Sequence, residues 1–112
     1  MTIDELATLT TDTKDGAVIA RISGELDSSN AKDLGDTIVA AGAQARACVV
    51  DLTLVTYLDS AALTMLHRLG QQAAALHLVM PPDSRAARLV EIGGLDTVLR
   101  THQTIEDALA GL

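Results

Sequence analysis

The order of strand and helix in this 112-residue chain is clearest in the stretch Val49-Val50-Asp51-Leu52-Thr53-Leu54-Val55-Thr56-Tyr57-Leu58-Asp59-Ser60-Ala61-Ala62-Leu63. It starts within a run, Ala47 to Leu52, that is continuously apolar apart from Asp51. Such a run is typical of a strand covered on both faces, and so of a parallel sheet with helices packed against it. Asp59 and Ser60 are residue types that begin a helix. The stretch therefore predicts a buried strand, a loop and a capped helix.

The helix that begins at Asp59-Ser60 has one apolar stripe. Its members follow one another at intervals of four, three and four residues, which places them on one side of a helix. They are Ala62, Leu66, Leu69 and Ala73. We expect this stripe to pack on the sheet, and we expect Leu63 and Met65, which lie beside it, to be exposed contacts.

Further strands and helices alternate on both sides of this unit. Turn chemistry at Lys14-Asp15-Gly16 separates two strand-like runs and predicts an opening hairpin. The predicted strands are 6–11, 17–22 with an end near 24–27, 47–52, 76–80 and 98–101. The first predicted helix is capped by Ser28-Ser29-Asn30 and runs through Leu34, Ile38 and Ala41 to about Ala43. The second begins at Asp59-Ser60, and the third is capped by Asp83 or Ser84 and runs to Ile92, before Gly93-Gly94. The fourth runs from Thr104 to near Gly111.

This order, β-β-α-β-α-β-α-β-α, predicts an α/β fold in a single domain over residues 1–112. The expected sheet is mixed and mostly parallel, with four to five strands and about four packed helices. No linker, charge block or repeat interrupts the chain, and Pro81-Pro82 indicates a turn between elements.

Composition narrows the classes of function. The chain has 8 Lys or Arg against 15 Asp or Glu, a net charge of −7, and a single aromatic residue, Tyr57. Without a basic patch or stacking rings, nucleic-acid binding is not expected. The core is expected to consist of Leu, Val, Ile and many Ala residues, because the sequence has no Phe or Trp. Small residues of this kind indicate close packing of helices and strands.

Neither a membrane location nor a metal site is expected. The segment MTIDELATLT carries acids rather than a basic run before an apolar one, and no run approaches the roughly 20 apolar residues of a membrane span. The three histidines, His67, His77 and His102, lack the spacing of a zinc site and are expected to be solvated or structural. Cys48 lies in an apolar run and indicates a buried, inert thiol. We therefore expect a cytoplasmic protein without metal or cofactor.

Ser60 is the clearest candidate for a residue that is chemically modified. Unpaired backbone N–H groups and the positive end of the helix dipole gather at a helix start, where an added phosphoryl group can be accommodated. Two interpretations stay open on this basis: a phosphoacceptor, or a residue that with Asp59 merely caps the helix. Hydrolysis is not expected, because no G-x-S-x-G elbow or neighbouring base is present. Asp51 is interpreted as an acceptor of backbone hydrogen bonds at a strand end.

Three segments together resemble the STAS domain, and within it the bacterial anti-sigma factor antagonists. Gly24-Glu25-Leu26-Asp27 resembles that family's G-E-L-D strand end, and Val49 to Leu63 resembles its hydrophobic strand, loop and D-S-S/T-G-L phosphorylation segment. Gly94-Leu95-Asp96, followed by Thr104 to Leu109, resembles its C-terminal signature. The likeness spans nearly the whole chain. It implies a non-enzymatic regulator whose unphosphorylated form binds an anti-sigma factor with ATP-dependent serine kinase activity and so frees a sigma factor.

The resemblance also implies a site. Ala61 stands where the family commonly has a second Ser or Thr, and Ala62 stands where it commonly has Gly, which leaves Ser60 as the local phosphoacceptor. Asp27 and Asp59 are the expected flanking acids. The expected partner-binding residues are Ser28, Ser29, Asn30, Ser60, Ala61, Leu63 and Thr64. Phosphorylation is expected to end binding, and a separate serine phosphatase to reset it.

A second hypothesis keeps the fold but removes the switch. Ala61 and Ala62 favour an interaction module that is never phosphorylated, such as an accessory subunit resembling the STAS proteins that regulate lipid ABC transporters, or a scaffold in a sensory complex. A third hypothesis, a small hydrolase using Asp51, Asp59 or Ser60, lacks an accompanying base, oxyanion loop or metal cluster.

Overall fold

The computed structural model describes residues 6–73 and 75–112, which form five strands, four α-helices and one 3-10 helix. The strands are β1 (Ala7–Lys14), β2 (Ala17–Leu26), β3 (Ala47–Leu58), β4 (Leu76–Val79) and β5 (Arg100–His102). The helices are α1 (Ala31–Ala41), α2 (Ser60–Gln72), α3 (Arg85–Ile92) and α4 (Ile105–Ala110), with the 3-10 helix at Leu95–Thr97. The start of the acidic N-terminal segment, residues 1–5, lies outside the described residues.

The strands form one sheet in the order β1-β2-β3-β4-β5. β1 and β2 are antiparallel and make the predicted opening hairpin, whereas the other three strand pairs are parallel. The predicted mixed, mostly parallel sheet is therefore confirmed. No α-helix in residues 6–73 and 75–112 has the length and apolar character that a bilayer crossing requires.

β3 is longer than predicted and lies at the centre of the sheet. Residues 53–58, expected to be a loop, continue the strand because they pair with the second half of β2, through Ser23 opposite Leu54 and Leu26 opposite Leu58. β-Branched and aromatic residues in this segment fit a strand. Asp51 does accept a backbone hydrogen bond, from the Thr53 N–H at 2.9 Å, but it lies within the strand rather than at its end.

Other boundaries also differ from the predicted ones. β1 extends to Lys14, because its residues pair with β2 up to the two-residue turn at Asp15-Gly16. α1 ends at Ala41, which is exposed, so only Leu34 and Ile38 of its predicted stripe are buried. β5 is displaced to Arg100–His102, because the N–H groups of Val98 and Leu99 bond to the Leu95 carbonyl at the end of a short 3-10 helix that was not predicted.

The sheet is covered on both faces. The larger apolar cluster joins α1, α2 and α3 to one face, and the smaller one joins α4 to the other through Ile19, Val49, Val79 and Ala108. In the predicted stripe of α2, Ala62, Leu66 and Leu69 are buried and Ala73 is half-buried just after the helix.

α1 and α2 pack closely through Met65 and Gly35. A Cβ on Gly35 would lie 2.8 Å from the Met65 Cγ, so only glycine allows this approach without movement of Met65. Met65 is 4% exposed, and the expectation that it forms an exposed contact is wrong. The close contact fixes the spacing of the two helices beside the start of α2.

Replacing Gly24 by Ala is expected to destabilise the fold strongly. Gly24 has φ +98°, and a Cβ there would lie 2.1 Å from the Leu6 carbonyl oxygen, which also accepts the Glu25 N–H. Backbone cannot move aside cheaply, so we expect the free energy of unfolding to fall by at least about 2 kcal/mol. Chemical denaturation measures this loss.

Gly94 offers the matched control. It also has positive φ, +75°, but a Cβ there would meet nothing within 4 Å. Gly94→Ala is therefore expected to cost only the left-handed backbone penalty, about 1 kcal/mol. Equal losses for the two variants would contradict a steric role for Gly24.

Candidate functional site

The candidate site is built where β2 and β3 end. The two strands are parallel, and Leu26 lies opposite Leu58. Asp27 and Asp59 directly follow these residues, so both acids leave the same edge of the sheet. The structure thus brings the Asp27 loop and the start of α2 together, as the sequence predicts.

Asp59 caps α2. Its Oδ1 accepts the Ala61 N–H at 2.9 Å and the Ala62 N–H at 3.3 Å, which satisfies two of the donors that a helix start leaves unpaired. Ser60 is the first residue of the helix and is exposed. Across residues 6–73 and 75–112, no group forms a hydrogen bond with the Ser60 hydroxyl. Capping therefore belongs to Asp59, and the Ser60 hydroxyl faces solvent.

The loop after β2 is held by its own side chains. Asp27 Oδ1 accepts hydrogen bonds from the Ser29 N–H, at 2.8 Å, and from the Ser29 hydroxyl. Asn30 Oδ1 accepts the Asp27 N–H at 3.1 Å, and Asn30 Nδ2 donates to the Glu25 carbonyl at 2.8 Å. Asn30 is the N-cap residue of α1, but its side chain makes no capping hydrogen bond, because these bonds direct it back to the loop.

Exposure divides the predicted loop residues into two roles. Asn30 is 1% exposed, so it supports the loop from beneath and has almost no surface to present to a partner. Ser28 and Ser29 are exposed and Asp27 is half-buried. The accessible part of the loop is therefore a short acidic and hydroxyl-rich segment.

A groove of about 340 Å³ lies between the starts of α1 and α2, and we call it the α1–α2 groove. Ser28, Ala61 and Thr64 line it, so three of the predicted partner-binding residues share one surface. Thr64 is exposed and donates its hydroxyl to the Ser60 carbonyl at 3.0 Å. The groove opens beside the Ser60 end of α2.

Four further lining residues were not predicted. They are Ala31, Lys32, Met65 and Arg68. The two on α2 could have been predicted from the sequence. Positions 61, 64, 65 and 68 follow helical spacing, so their side chains share one side of the helix. The contribution of α1 depends on how the two helices pack, which their separate patterns do not reveal.

The groove is lined by two basic side chains, Lys32 and Arg68, in a chain of net charge −7. Lys32 bonds to Asp36 at 2.9 Å on the exposed surface of α1, and this hydrogen bond and charge raise the pKa of Lys32. Arg68 has no ion-pair partner within the described ranges. Both cations line the α1–α2 groove.

Leu63 does not line the α1–α2 groove. It is half-buried, and its Cδ1 lies 3.3 Å from the position that a Cβ would take on Gly93. Leu63 thus packs toward the end of α3, on another side of α2 from Ala61 and Thr64. Of the predicted residues on α2, Ala61 and Thr64 line this groove and Ser60 is exposed at the adjoining start of the helix.

The histidines include a pair that sequence spacing did not show. His67 is exposed, whereas His77 is 1% exposed and its Nδ1 lies 2.9 Å from His102 Nε2. β4 and β5 are adjacent parallel strands, with Val79 opposite His102, and this pairing brings the rings together. Burial, with the charges of His102 and Arg100, lowers the pKa of His77. Among the residues the structure describes, no three His, Cys, Asp or Glu side chains form a group suited to a metal ion.

The fold and this site define a STAS domain, with the sheet edge, the serine-bearing helix start and the neighbouring loop in one place. The chain belongs to this family: the family model described as "Mlab, STAS domain" matches residues 9–101. The resemblance found in the sequence is therefore confirmed. A comparison with curated proteins gave no match.

Solved structures of anti-sigma factor antagonists are similar to this chain. One from Mycobacterium paratuberculosis has a TM-score of 0.84 and 27% identity, covering 94% of this chain and 92% of its own. The antagonist SpoIIAA in its unphosphorylated form has a TM-score of 0.67 and 15% identity, covering 93% and 96%. The Bacillus cell fate determinant SpoIIAA in its phosphorylated form has a TM-score of 0.61 and 19% identity, covering 92% and 97%. The two SpoIIAA structures show the shared fold.

Removing the Asp59 carboxylate is expected to weaken the start of α2. Asp59→Ala leaves the Ala61 and Ala62 N–H groups without their acceptor, and should lower the free energy of unfolding by about 1 kcal/mol. Asp59→Asn keeps an oxygen acceptor and should stay within a few tenths of a kcal/mol, about 0.3, of the parent. Urea denaturation compares the two, and an Ala variant as stable as the Asn variant would contradict the cap.

Cys48 is expected to resist alkylation in the native protein. Burial raises the pKa of its thiol to about 11, so at pH 8 roughly one molecule in a thousand carries the reactive thiolate. We expect iodoacetamide to react at least about 100-fold more slowly than with the chain unfolded in urea. Cys48 is the chain's single cysteine, so mass spectrometry of the intact protein follows it directly. Comparable native and unfolded rates would contradict an inert thiol.

Proposed function

We propose that this protein is an anti-sigma factor antagonist controlled at Ser60. In its unphosphorylated form it binds an anti-sigma factor that is an ATP-dependent serine kinase, and a sigma factor is released. Transfer of phosphate to Ser60 ends the binding, and a serine phosphatase restores it. The protein acts by binding, in the bacterial cytoplasm. The observation that carries the proposal is the exposed, unbonded Ser60 hydroxyl at the start of α2, next to the α1–α2 groove.

The similar structures support the antagonist role. The Mycobacterium paratuberculosis protein shares 27% of its sequence with this chain over nearly the full length of both, and it is an anti-sigma factor antagonist. SpoIIAA has been solved in unphosphorylated and phosphorylated forms, so the same fold accommodates both states. These comparisons favour binding of an anti-sigma factor over the hydrolase hypothesis.

The partner surface proposed here joins the loop after β2 to the start of α2. Ser28 and Ser29 on the loop, and Ser60, Ala61 and Thr64 on the helix, are at least partly exposed and close to one another. Most of these side chains are small, so a partner backbone can approach closely. Asn30 and Asp59 hold the two segments in place through the hydrogen bonds described above.

A phosphate on Ser60 would act through charge. It adds about 1.5 to 2 negative charges next to Asp59. Asp59 already occupies the Ala61 and Ala62 N–H groups, so these donors are not free to neutralise the phosphate. The added charge therefore stays on the surface, beside Asp59 and close to the Asp27 loop, where it opposes an interface fitted to a neutral hydroxyl.

The size of this effect is sufficient for a switch. A buried charge mismatch in an interface costs on the order of 2 to 5 kcal/mol. Affinity changes tenfold for roughly every 1.4 kcal/mol. One modified oxygen is thus enough to release a partner.

Variants at Ser60 test the charge mechanism. Ser60→Ala should bind the anti-sigma factor within about threefold of the parent, because it removes only an exposed hydroxyl. Ser60→Asp should weaken binding by at least about tenfold, because it places a charge in the interface. Isothermal titration calorimetry with the purified anti-sigma factor measures both affinities.

Thr13→Asp is the control for net charge. Thr13 is exposed and pairs with Val18, eight residues from Leu26 along β2, which is about 26 Å from the site. It should leave the affinity unchanged. Equal weakening by Thr13→Asp and Ser60→Asp would show a general charge effect and contradict the proposed site.

Incubation with the anti-sigma factor and ATP tests the phosphoacceptor separately. Mass spectrometry should find one phosphate, on Ser60, and none on the Ser60→Ala variant. If the protein binds the kinase but is never modified at Ser60, the proposed phosphorylation switch is contradicted, whereas the proposed antagonist role is not.

An unswitched interaction module is the second candidate, and the small apolar side chains after Ser60 favour it. Ala61 lines the α1–α2 groove with Ala31 and Met65, which suits a permanent apolar contact with a protein partner. An accessory subunit of a lipid ABC transporter, or a scaffold in a sensory complex, would use the site in this way. Co-purification followed by mass spectrometry separates the candidates: a transporter ATPase supports the module, and a kinase-like anti-sigma factor supports the antagonist.

A further inference from the structure

A second pocket, of about 200 Å³, lies away from the Ser60 site. Its walls include His77 on β4, Arg100 on β5 and Arg46 just before β3. His77 alternates with Leu76 and Leu78, which belong to the apolar cluster under α1, α2 and α3, so it faces the α4 side of the sheet. The pocket is therefore on the opposite face from the α1–α2 groove.

The pocket is lined by two basic side chains in an acidic protein. Two of the chain's 8 Lys and Arg residues, Arg46 and Arg100, line it together with Gly111 and Leu112, and among the residues that the structure describes no Asp or Glu side chain does. The sole salt bridge within residues 6–73 and 75–112 joins Lys32 to Asp36, so neither guanidinium has a carboxylate partner there. Arg46 is held in place because its Nε donates to the Asp15 carbonyl at 2.8 Å, which leaves its terminal N–H groups free of that contact.

His77 supplies a third polar group, and it is unsatisfied. Its side chain is almost completely buried, at 1% exposure, and its Nδ1 is engaged with His102 Nε2 at 2.9 Å. Its Nε2 is buried and has no hydrogen-bond partner among the described residues. A buried polar atom without a partner is unfavourable, and native structures rarely retain one without a role.

The histidine pair can make this atom a donor. When His102 Nε2–H donates to His77 Nδ1, the neutral His77 ring carries its own hydrogen on Nε2. An anion next to Nε2 would select this tautomer, because it accepts the hydrogen bond that the other tautomer cannot give.

We propose that this pocket binds a phosphate group, free or as a small monoester, through the Arg46 and Arg100 guanidiniums, with the His77 Nε2–H as a third donor that a small movement of the pocket wall exposes to the bound anion. Arginine forks match phosphate oxygens and remain charged at all physiological pH values. The three donors come from three separate parts of the chain, the segment before β3, β4 and β5, and meet at this one pocket. Such an arrangement fits the several oxygens of a tetrahedral phosphate better than the two of a planar carboxylate.

Histidine NMR of the full chain tests the site. Inorganic phosphate, glycerol phosphate and acetate are titrated separately at pH 7.5 and constant ionic strength, and the imidazole nitrogens of His77 are followed. Phosphate or glycerol phosphate should shift His77 Nε2 saturably, and acetate should bind at least tenfold more weakly. The tighter of the two phosphate compounds identifies free phosphate or a monoester as the ligand.

Arginine variants decide whether the pocket holds the anion. Arg46→Gln and Arg100→Gln should each weaken binding at least tenfold, about 1.4 kcal/mol. Arg88→Gln, an exposed change on α3 at the other face of the sheet, should leave binding unchanged. All three positions are exposed, so the variants should fold. Shifts that do not saturate, or affinities that are the same in all three variants, would overturn the proposal without affecting the proposed role of Ser60.

Discussion

The parallel pairing of β2 with β3 determines where the residues of the candidate site lie. Leu26 and Leu58 are opposite one another and buried, at 0% and 2% exposure, so a one-residue slip of either strand would turn its leucine out of the core. Because Asp27 and Asp59 follow them directly, the same pairing brings the acidic loop to the start of α2. The site thus depends on apolar burial beneath it more than on contacts between its own polar groups.

Hydrogen bonds within each segment then fix the local geometry. Asn30 ties the loop to the Glu25 carbonyl, and Asp59 closes the first turn of α2. The loop and the first turn of α2 are both ordered before a partner binds, so little conformational entropy remains to be lost on binding. The exposed hydroxyl of Ser60 is left out of these bonds, which makes it the accessible group in an otherwise ordered surface.

Most of the fold was predictable from local patterns, whereas contacts between elements were not. The alternation of strands and helices, the Asp59 helix start and the buried Cys48 follow from residue types and spacing. The extension of β3 to Leu58 depends on pairing with β2, which periodicity does not encode. Burial of Met65 depends on the close approach of Gly35 in another helix.

The site divides in the same way. In the candidate site, Ser60, Asp27 and Asp59 could be predicted because they lie in motifs at strand ends, and Ser28, Ala61 and Thr64 could be predicted because they are near them in sequence. Lys32 and Arg68 complete the α1–α2 groove only after the helices pack. The contact of His77 with His102 likewise spans 25 residues and required the order of β4 and β5.

The core contains no large aromatic ring, and the chain's one aromatic residue, Tyr57, is 40% exposed on β3. Without tryptophan, the protein emits almost no fluorescence when it is excited at wavelengths that select indole. Indole emission from any complex it forms therefore arises from the other component alone. Changes in the tryptophan fluorescence of a binding partner can therefore be measured without labels, even when this protein is in excess.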